Sequence, residues 1–147
     1  MPALNVTIVQ SDLHWHEPAR NLEHFSSLLR SSTQATDLVV LPEMFSTGFT
    51  MHAEAHAESM DGRSIGWMAE TASRLDTSIC GSLVIRDGGE YFNRFILMSP
   101  DGSCRCYDKR HRFRLAGEHE HYSAGSELVT IELNGWRIRP MICYDLR

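Results

Sequence analysis

The chain has 147 residues, of which 42% are hydrophobic and 22% are charged, and its formal net charge is −5. This length is typical of one domain, and the composition excludes a disordered, collagen-like or coiled-coil protein. We therefore predict a single domain over residues 1–147. The acidic balance argues against nucleic-acid binding, because residues 109–114 form the only basic run.

The sequence also lacks targeting signals. No stretch approaches 18 uninterrupted apolar residues, and the first five residues lack the features of a signal peptide. Four cysteines are too few for a disulfide scaffold at this length. We expect a cytoplasmic protein with free thiols and no membrane association.

The chain opens with a strand, a helix and a second strand. Residues 4–10 alternate and are β-branched, which is typical of a strand. Pro18 suits the first turn of a helix. The unbroken apolar run 37–41 predicts a central strand with both faces covered. The apolar residues of the predicted helix recur every three or four positions: Ala19, Leu22, Phe25 and Leu29.

A long loop and a hairpin follow. Residues 43–63 show little periodicity, whereas residues 65–75 carry a second helical stripe. Strands are predicted at 77–85 and 91–98, joined through the turn signal Asp87-Gly88-Gly89.

The last third of the chain is predicted to be mostly strand. Residues 104–108, 128–133 and 136–143 have strand patterns, with a tight turn at Asn134-Gly135 and irregular chain at 109–125. The order β-α-β-α-β-β-β-β-β combines early crossover helices with later hairpins. It predicts an α/β fold with a mixed sheet flanked by helices.

Three residues have contexts that suit catalysis. Glu43 follows a buried strand and a proline, which suits a general base. Lys109 follows a strand, and Cys143 ends one. Each also has a purely structural interpretation. Glu43 could be a helix cap or a surface carboxylate, Lys109 a solvated surface charge, and Cys143 a buried structural thiol.

Taken together, these segments resemble the nitrilase superfamily of carbon–nitrogen hydrolases. The resemblance rests on Leu41-Pro42-Glu43-Met44-Phe45, on the segment 107–113 and on Ile142-Cys143-Tyr144-Asp145, which occur in the family's order. The segment 44–49 and the spacing Trp15-x-x-Pro18-x-x-Asn21 look most like the omega-amidase branch. The resemblance implies an α-β-β-α sandwich, of which this chain would be the N-terminal part, because the sequence stops shortly after Cys143.

The resemblance also implies a catalytic triad. Glu43 would be the general base, Cys143 the nucleophile, and Lys109 with the backbone N–H of Tyr144 the oxyanion donors. The charge of Lys109 would also favour the Cys143 thiolate. A second glutamate often assists the lysine in this family, and Glu118 fits better than Glu120. One departure is Arg112, where family members often have leucine.

The implied substrate is a small carboxamide, such as a 2-oxo acid amide. Phe45, Phe49 and Tyr144 could line a pocket, with core packing as the alternative. Arg110 and Arg112 could bind a substrate carboxylate, with a solvated basic face as the alternative. Nitrile or carbamoyl hydrolysis and a non-catalytic binding role remain open.

We expect no cofactor and no metal. A rival metal site would use the following side chains, but they meet no fixed ligand spacing: His111, Glu118, His119, Glu120 and His121. A homodimer or larger homo-oligomer is expected, since helical outer layers of such a sandwich can pack against a copy of themselves.

Overall fold

The computed structural model describes residues 3–31 and 35–147, and within them five strands form one mixed sheet. The sheet order is β1-β2-β3-β4-β5, in which β1, β2 and β3 run parallel and β4 and β5 continue antiparallel. β2 and β5 therefore run in the same direction. The strands are β1 (Val6–Ile8), β2 (Leu38–Val40), β3 (Ser78–Asp87), β4 (Glu90–Met98) and β5 (Cys104–Asp108).

Two helices, α1 (Pro18–Ser31) and α3 (Arg63–Leu75), pack on one face of this sheet. Their apolar stripes are buried because they face the sheet, and the indole N–H of Trp67 donates to Ser26 Oγ at 2.8 Å between the two helices. None of the helices in the described residues is long and apolar enough to cross a membrane. The buried residues of this core include Leu22, Phe25, Leu29, Ile65, Met68 and Ala72.

A separate hairpin of β6 (Ile131–Leu133) and β7 (Trp136–Ile138) lies against the opposite face of the sheet. Leu38 packs with Ile131 there, whereas its neighbour Val39 packs in the helical core. β2 is thus covered on both faces, which confirms the interpretation of its unbroken apolar run.

The hairpin of β3 and β4 is joined by a two-residue turn. Gly88 and Gly89 both have positive φ, at 58° and 85°, which glycine adopts without steric cost. From this turn nine residue pairs follow in register, and Asn93 on β4 lies opposite Val84 on β3. The turn therefore determines which face of β4 each side chain occupies.

The structure corrects several element boundaries. β1 is shorter than the predicted 4–10, and the predicted strand 136–143 is wrong beyond Ile138. Pro140, which has no N–H to donate, interrupts the ladder. The predicted loop 43–63 contains a short helix, α2 (Ala53–His56), and the irregular segment contains α4 (Glu118–His121) together with a 3₁₀ turn at Arg114–Ala116.

Cys143 is the most important of these corrections. It does not end a strand but begins a 3₁₀ turn, Cys143–Leu146, with a φ of 45°. A non-glycine residue in this left-handed region needs surrounding contacts that hold it there.

Candidate active site

Glu43 lies just past the end of β2, at a turn that the neighbouring strand holds in place. The N–H of Leu41 donates to Cys80 O at 2.7 Å, so the chain still pairs with β3. The N–H of Met44 then donates to Ser82 Oγ at 2.9 Å, and Met44 has a φ of 46°. This turn directs the Glu43 carboxylate along the edge of the sheet where β2 and β5 both end.

Lys109 follows β5 at the same edge and contacts two carboxylates. Its Nζ lies 2.8 Å from Glu43 Oε1 and 3.0 Å from Glu118 Oε2, and the residue is 1% exposed. β2 and β5 are three strand spacings apart, roughly 14 Å, so the long lysine side chain and the turn at Glu43 span that gap. Burial acts to lower the pKa of Lys109, but hydrogen bonds and charges from Glu43 and Glu118 outweigh it and raise the pKa.

Asn93 joins the same network, and sequence analysis did not assign it a role. This buried side chain donates from Nδ2 to Glu43 Oε1 at 2.7 Å and to Glu118 Oε1 at 3.1 Å. Asparagine is depleted in strands, so an asparagine inside the predicted strand 91–98 could have indicated a site residue. Asn93 thus holds two carboxylates on either side of Lys109.

Glu118, rather than Glu120, is the second glutamate beside Lys109. Glu118 is fully buried and also accepts from the N–H of Phe113, whereas the Glu120 side chain is 68% exposed. Burial raises the pKa of Tyr122, and the negative charges of Glu118 and Glu43 raise it further.

The rival metal site does not assemble. In the part of the chain that the structure describes, no group of three or more His, Cys, Asp or Glu side chains is arranged to hold a metal ion. Glu118 instead bonds to Lys109, and His111 faces Asp145, where its Nδ1 lies 3.0 Å from Oδ1.

Asp145 holds the turn that carries Cys143, and sequence analysis missed it as a site residue. Its carboxylate accepts from the N–H of Ile142 at 3.1 Å, from the N–H of His111 at 2.8 Å and from the Tyr107 hydroxyl at 2.8 Å. Burial acts to raise the pKa of Asp145, but these hydrogen bonds outweigh it and lower the pKa. The carboxylate thereby ties the Cys143 turn to the chain on both sides of Lys109.

The Cys143 thiol faces Glu43. Burial, the charge of Glu43 and a hydrogen bond with that carboxylate raise the pKa of Cys143. Lys109 acts in the opposite direction, as expected from the sequence, but it is outweighed. The resting sulfur is therefore a protonated thiol beside a carboxylate that can accept its proton.

Glu43 and Cys143 border one cavity of about 140 Å³, together with Ser82, Phe95 and Met141. A larger depression of about 710 Å³ between α1 and α3 contains none of these groups. Of these two cavities, the smaller one therefore contains the candidate general base and nucleophile.

The other residues proposed to bind substrate lie at different depths. The Phe49 ring lies under Lys109, with Nζ 5.4 Å from its centroid. Phe45 is fully buried in the helical core, where its ring lies 5.9 Å from that of Phe25, so its surroundings are those of the core alternative. Arg112 donates to Tyr122 O at 2.9 Å, and the Tyr144 ring lies against that of Phe113, tilted by 44° with centroids 5.4 Å apart.

Comparison with known proteins identifies the family to which this fold belongs. The family model of the carbon-nitrogen hydrolases matches residues 5–147, so the chain belongs to that family. The resemblance inferred from the sequence is thereby confirmed.

Individual relatives are similar along the whole chain. Omega-amidase YafV of Yersinia enterocolitica is 46% identical over 147 residues, covering 100% of this chain and 57% of its own length. The 2-oxoglutaramate amidase of Bacillus subtilis is 30% identical over 145 residues, covering 97% of this chain and 56% of its own. The chain spans about half the length of these curated relatives.

A solved structure shows the same fold. XC1258 from Xanthomonas campestris, a CN-hydrolase superfamily protein with an arsenic adduct in its active site, is 43% identical and superposes with a TM-score of 0.95. The match covers 99% of this chain and 55% of that protein. The predicted α/β class, with a mixed sheet and flanking helices, is confirmed.

Proposed function

We propose that the protein containing this chain is an omega-amidase, which hydrolyses the terminal carboxamide of a small 2-oxo acid to a carboxylate and ammonia. The observation that carries the proposal is the convergence of Glu43, Lys109 and Cys143 at one sheet edge, with Glu43 and Cys143 bordering one cavity. The relatives named omega-amidase and 2-oxoglutaramate amidase support the substrate class.

Acylation begins with proton transfer. Because the Cys143 thiol is protonated at rest, Glu43 accepts its proton as the sulfur attacks the amide carbonyl. Lys109 and the N–H of Tyr144 stabilise the developing oxyanion. Glu43 then gives the proton to the departing ammonia, which leaves a thioester on Cys143.

Hydrolysis of the thioester reuses the same carboxylate. Glu43 takes a proton from water as the water oxygen attacks the thioester carbonyl. The C–S bond then breaks, and Glu43 returns the proton to the departing Cys143 sulfur, which regenerates the thiol and the Glu43 carboxylate. Because Lys109 and Asn93 both donate to Oε1 of Glu43, the carboxylate keeps one orientation through both steps. Glu118 holds Lys109 from the other side.

A 2-oxo acid substrate needs a partner for its carboxylate. Arg112 is already hydrogen bonded to the backbone of Tyr122, so of the two candidate cations we favour Arg110. The Phe49 ring under Lys109 would form the apolar wall beside the substrate chain.

The test is ammonia release by the whole protein from four compounds: 2-oxoglutaramate, 2-oxosuccinamate, glutamine and a simple nitrile. We expect turnover of the 2-oxo acid amides and at least about a hundredfold loss of kcat in Cys143→Ser, with Cys80→Ser as the matched control. Preference for the nitrile would place the activity in another branch, and equal turnover by Cys143→Ser would contradict the proposal.

A homodimer and a cytoplasmic location remain predictions. Light scattering at micromolar concentration tests the first, and a fully active monomer would contradict it. Fractionation of cells followed by immunoblotting tests the second.

A further inference from the structure

A pair of thiols lies on β5, away from the candidate active site. Cys104 and Cys106 are two positions apart on this strand, so their side chains share one face of the sheet. Their Sγ atoms are 3.6 Å apart, and both residues are half-buried. In the described residues β5 is the outer strand of its sheet, and both cysteines pack partly against the helical core.

The surroundings of the pair include charged side chains and an open cavity. Arg94, on the neighbouring strand, and Arg105, between the two cysteines, both act to lower the pKa of Cys104. Cys106 borders a cavity of about 340 Å³, together with Arg94 and Asp108. Arg94 also pairs with Asp108 and Asp87, at 2.7 Å and 2.9 Å, so its charge is partly neutralised. A small polar molecule can reach Cys106 through this cavity.

The two thiols are hydrogen bonded to each other, and either sulfur can be the donor. The hydrogen bond with Cys106 lowers the pKa of Cys104 to about 7, and the same bond raises the pKa of Cys106. The more acidic thiol thus has a second sulfur in contact with it. Accessible thiolates next to a resolving cysteine are typical of oxidation-sensitive sites.

We propose that Cys104 and Cys106 form a modification site that hydroperoxides convert to an intrastrand disulfide. This proposal involves none of Glu43, Lys109 and Cys143, so it does not depend on the proposed function. The Cα atoms of alternate strand residues are about 6.6 Å apart, within the range of roughly 4.4–6.8 Å that disulfides bridge. The Cβ atoms point the same way and lie about as far apart as the Cα atoms, whereas a disulfide needs roughly 3.5–4.5 Å. Forming the bond therefore requires the chain at Arg105 to leave its extended conformation.

The chemistry balances with one hydroperoxide per pair. The Cys104 thiolate attacks a peroxide oxygen, the O–O bond breaks, and the departing oxygen takes up a proton, which gives a sulfenic acid and water or an alcohol. Cys106 sulfur then attacks Cys104 sulfur, the S–O bond breaks, and the thiol proton leaves with the hydroxide as water. The two thiols lose two electrons, and the peroxide gains them.

The sequence allows a direct test. Arg105 lies between the two cysteines, so trypsin separates Cys104, on the peptide 95–105, from Cys106, on the peptide 106–109. The protein is treated with hydrogen peroxide, its remaining thiols are alkylated, and it is denatured and digested without reductant. We expect the two peptides to be joined, at a mass about 2 Da below their sum, and to separate on reduction.

Controls separate this reaction from oxidation at the other thiols. The joined species is expected in wild type and in Cys143→Ser, which lacks the candidate nucleophile, and absent in Cys104→Ser and Cys106→Ser. Cys80, whose pKa burial raises to about 12, serves as the internal unreactive thiol. If the peptides 95–105 and 106–109 of the peroxide-treated wild type remain separate, whether alkylated or carrying sulfinic acid, the proposal is overturned. The wild-type measurement alone decides this.

Discussion

Replacing Lys109 with methionine should destabilise the fold as well as stop catalysis. The ammonium lies 2.8 Å and 3.0 Å from two carboxylates, and Glu118 is fully buried. Removing one partner of a buried pair typically costs about 3–5 kcal/mol, because the remaining charge is left without compensation. Glu43, with 22% of its side chain exposed, can regain water, so most of the cost should fall on Glu118.

Urea denaturation at pH 7 would measure this loss against two comparison variants. Arg20→Met breaks an exposed ion pair, whose side chains are 61% and 53% exposed, and should change stability by less than about 1 kcal/mol. Adding Glu118→Gln to Lys109→Met removes the uncompensated buried charge and should recover about 1–3 kcal/mol.

The result that would refute this reasoning is a Lys109→Met protein as stable as Arg20→Met. Lys109 would then be hydrated rather than enclosed by the two carboxylates. Catalysis is measured separately, as kcat of the folded fraction, so that loss of activity is not mistaken for loss of structure.

Three further predictions concern the surroundings of the site. Asp145→Asn should lower the free energy of unfolding by about 1–3 kcal/mol at pH 7. Because the folded-state pKa of Asp145 is lowered, the carboxylate stabilises the fold above the ordinary value of 3.8, and this stabilisation is lost as the pH falls through the folded pKa. Denaturation curves of the wild type and Asp145→Asn should therefore converge in acid. Alkylation of Cys143 by iodoacetamide should keep accelerating above pH 9, because its pKa is raised from the ordinary 9.0, and a plateau near pH 7 would contradict this. Gly125→Ala should destabilise by about 1–3 kcal/mol, since its Cβ would clash with the Asp108 backbone carbonyl oxygen. Gly66→Ala, in the first turn of α3 with open space around it, should instead stabilise by about 0.5–1 kcal/mol, and equal thermal shifts would refute the comparison.

Elements whose formation depends on local pattern could be predicted from the sequence. The β5 prediction has the observed limits, and Ile65, Met68 and Ala72 of the stripe predicted at 65–75 are buried in α3. The turn at Cys143 could not be predicted in this way, because it depends on an Asp145 carboxylate that bonds to Tyr107 and His111, which are 38 and 34 residues away. The apolar run before Cys143 favours a strand, and these distant contacts override it.

The candidate site could be predicted residue by residue but not as an arrangement. Resemblance to a family pointed to Glu43, Lys109 and Cys143, whereas spacing alone says nothing about a contact between residues 66 positions apart. The role of Asn93 depends on the pairing of β4 with its neighbours. The burial of Phe45 depends on how α1 and α3 pack against the sheet. These are properties of the assembled fold.

The glycine turn between β3 and β4 has a consequence for the site that it does not touch. Extra residues at surface turns are usually tolerated. Here, however, the turn sets the register of β4 against β3, and Asn93 lies only four residues beyond Gly89. If one inserted residue moved β4 along β3 by one place, Asn93 would point to the other side of the sheet, and Glu43 and Glu118 would lose their shared amide. Engineering this surface loop would thus alter the candidate active site from a distance, whereas a two-residue replacement such as Asn-Gly would leave it in place.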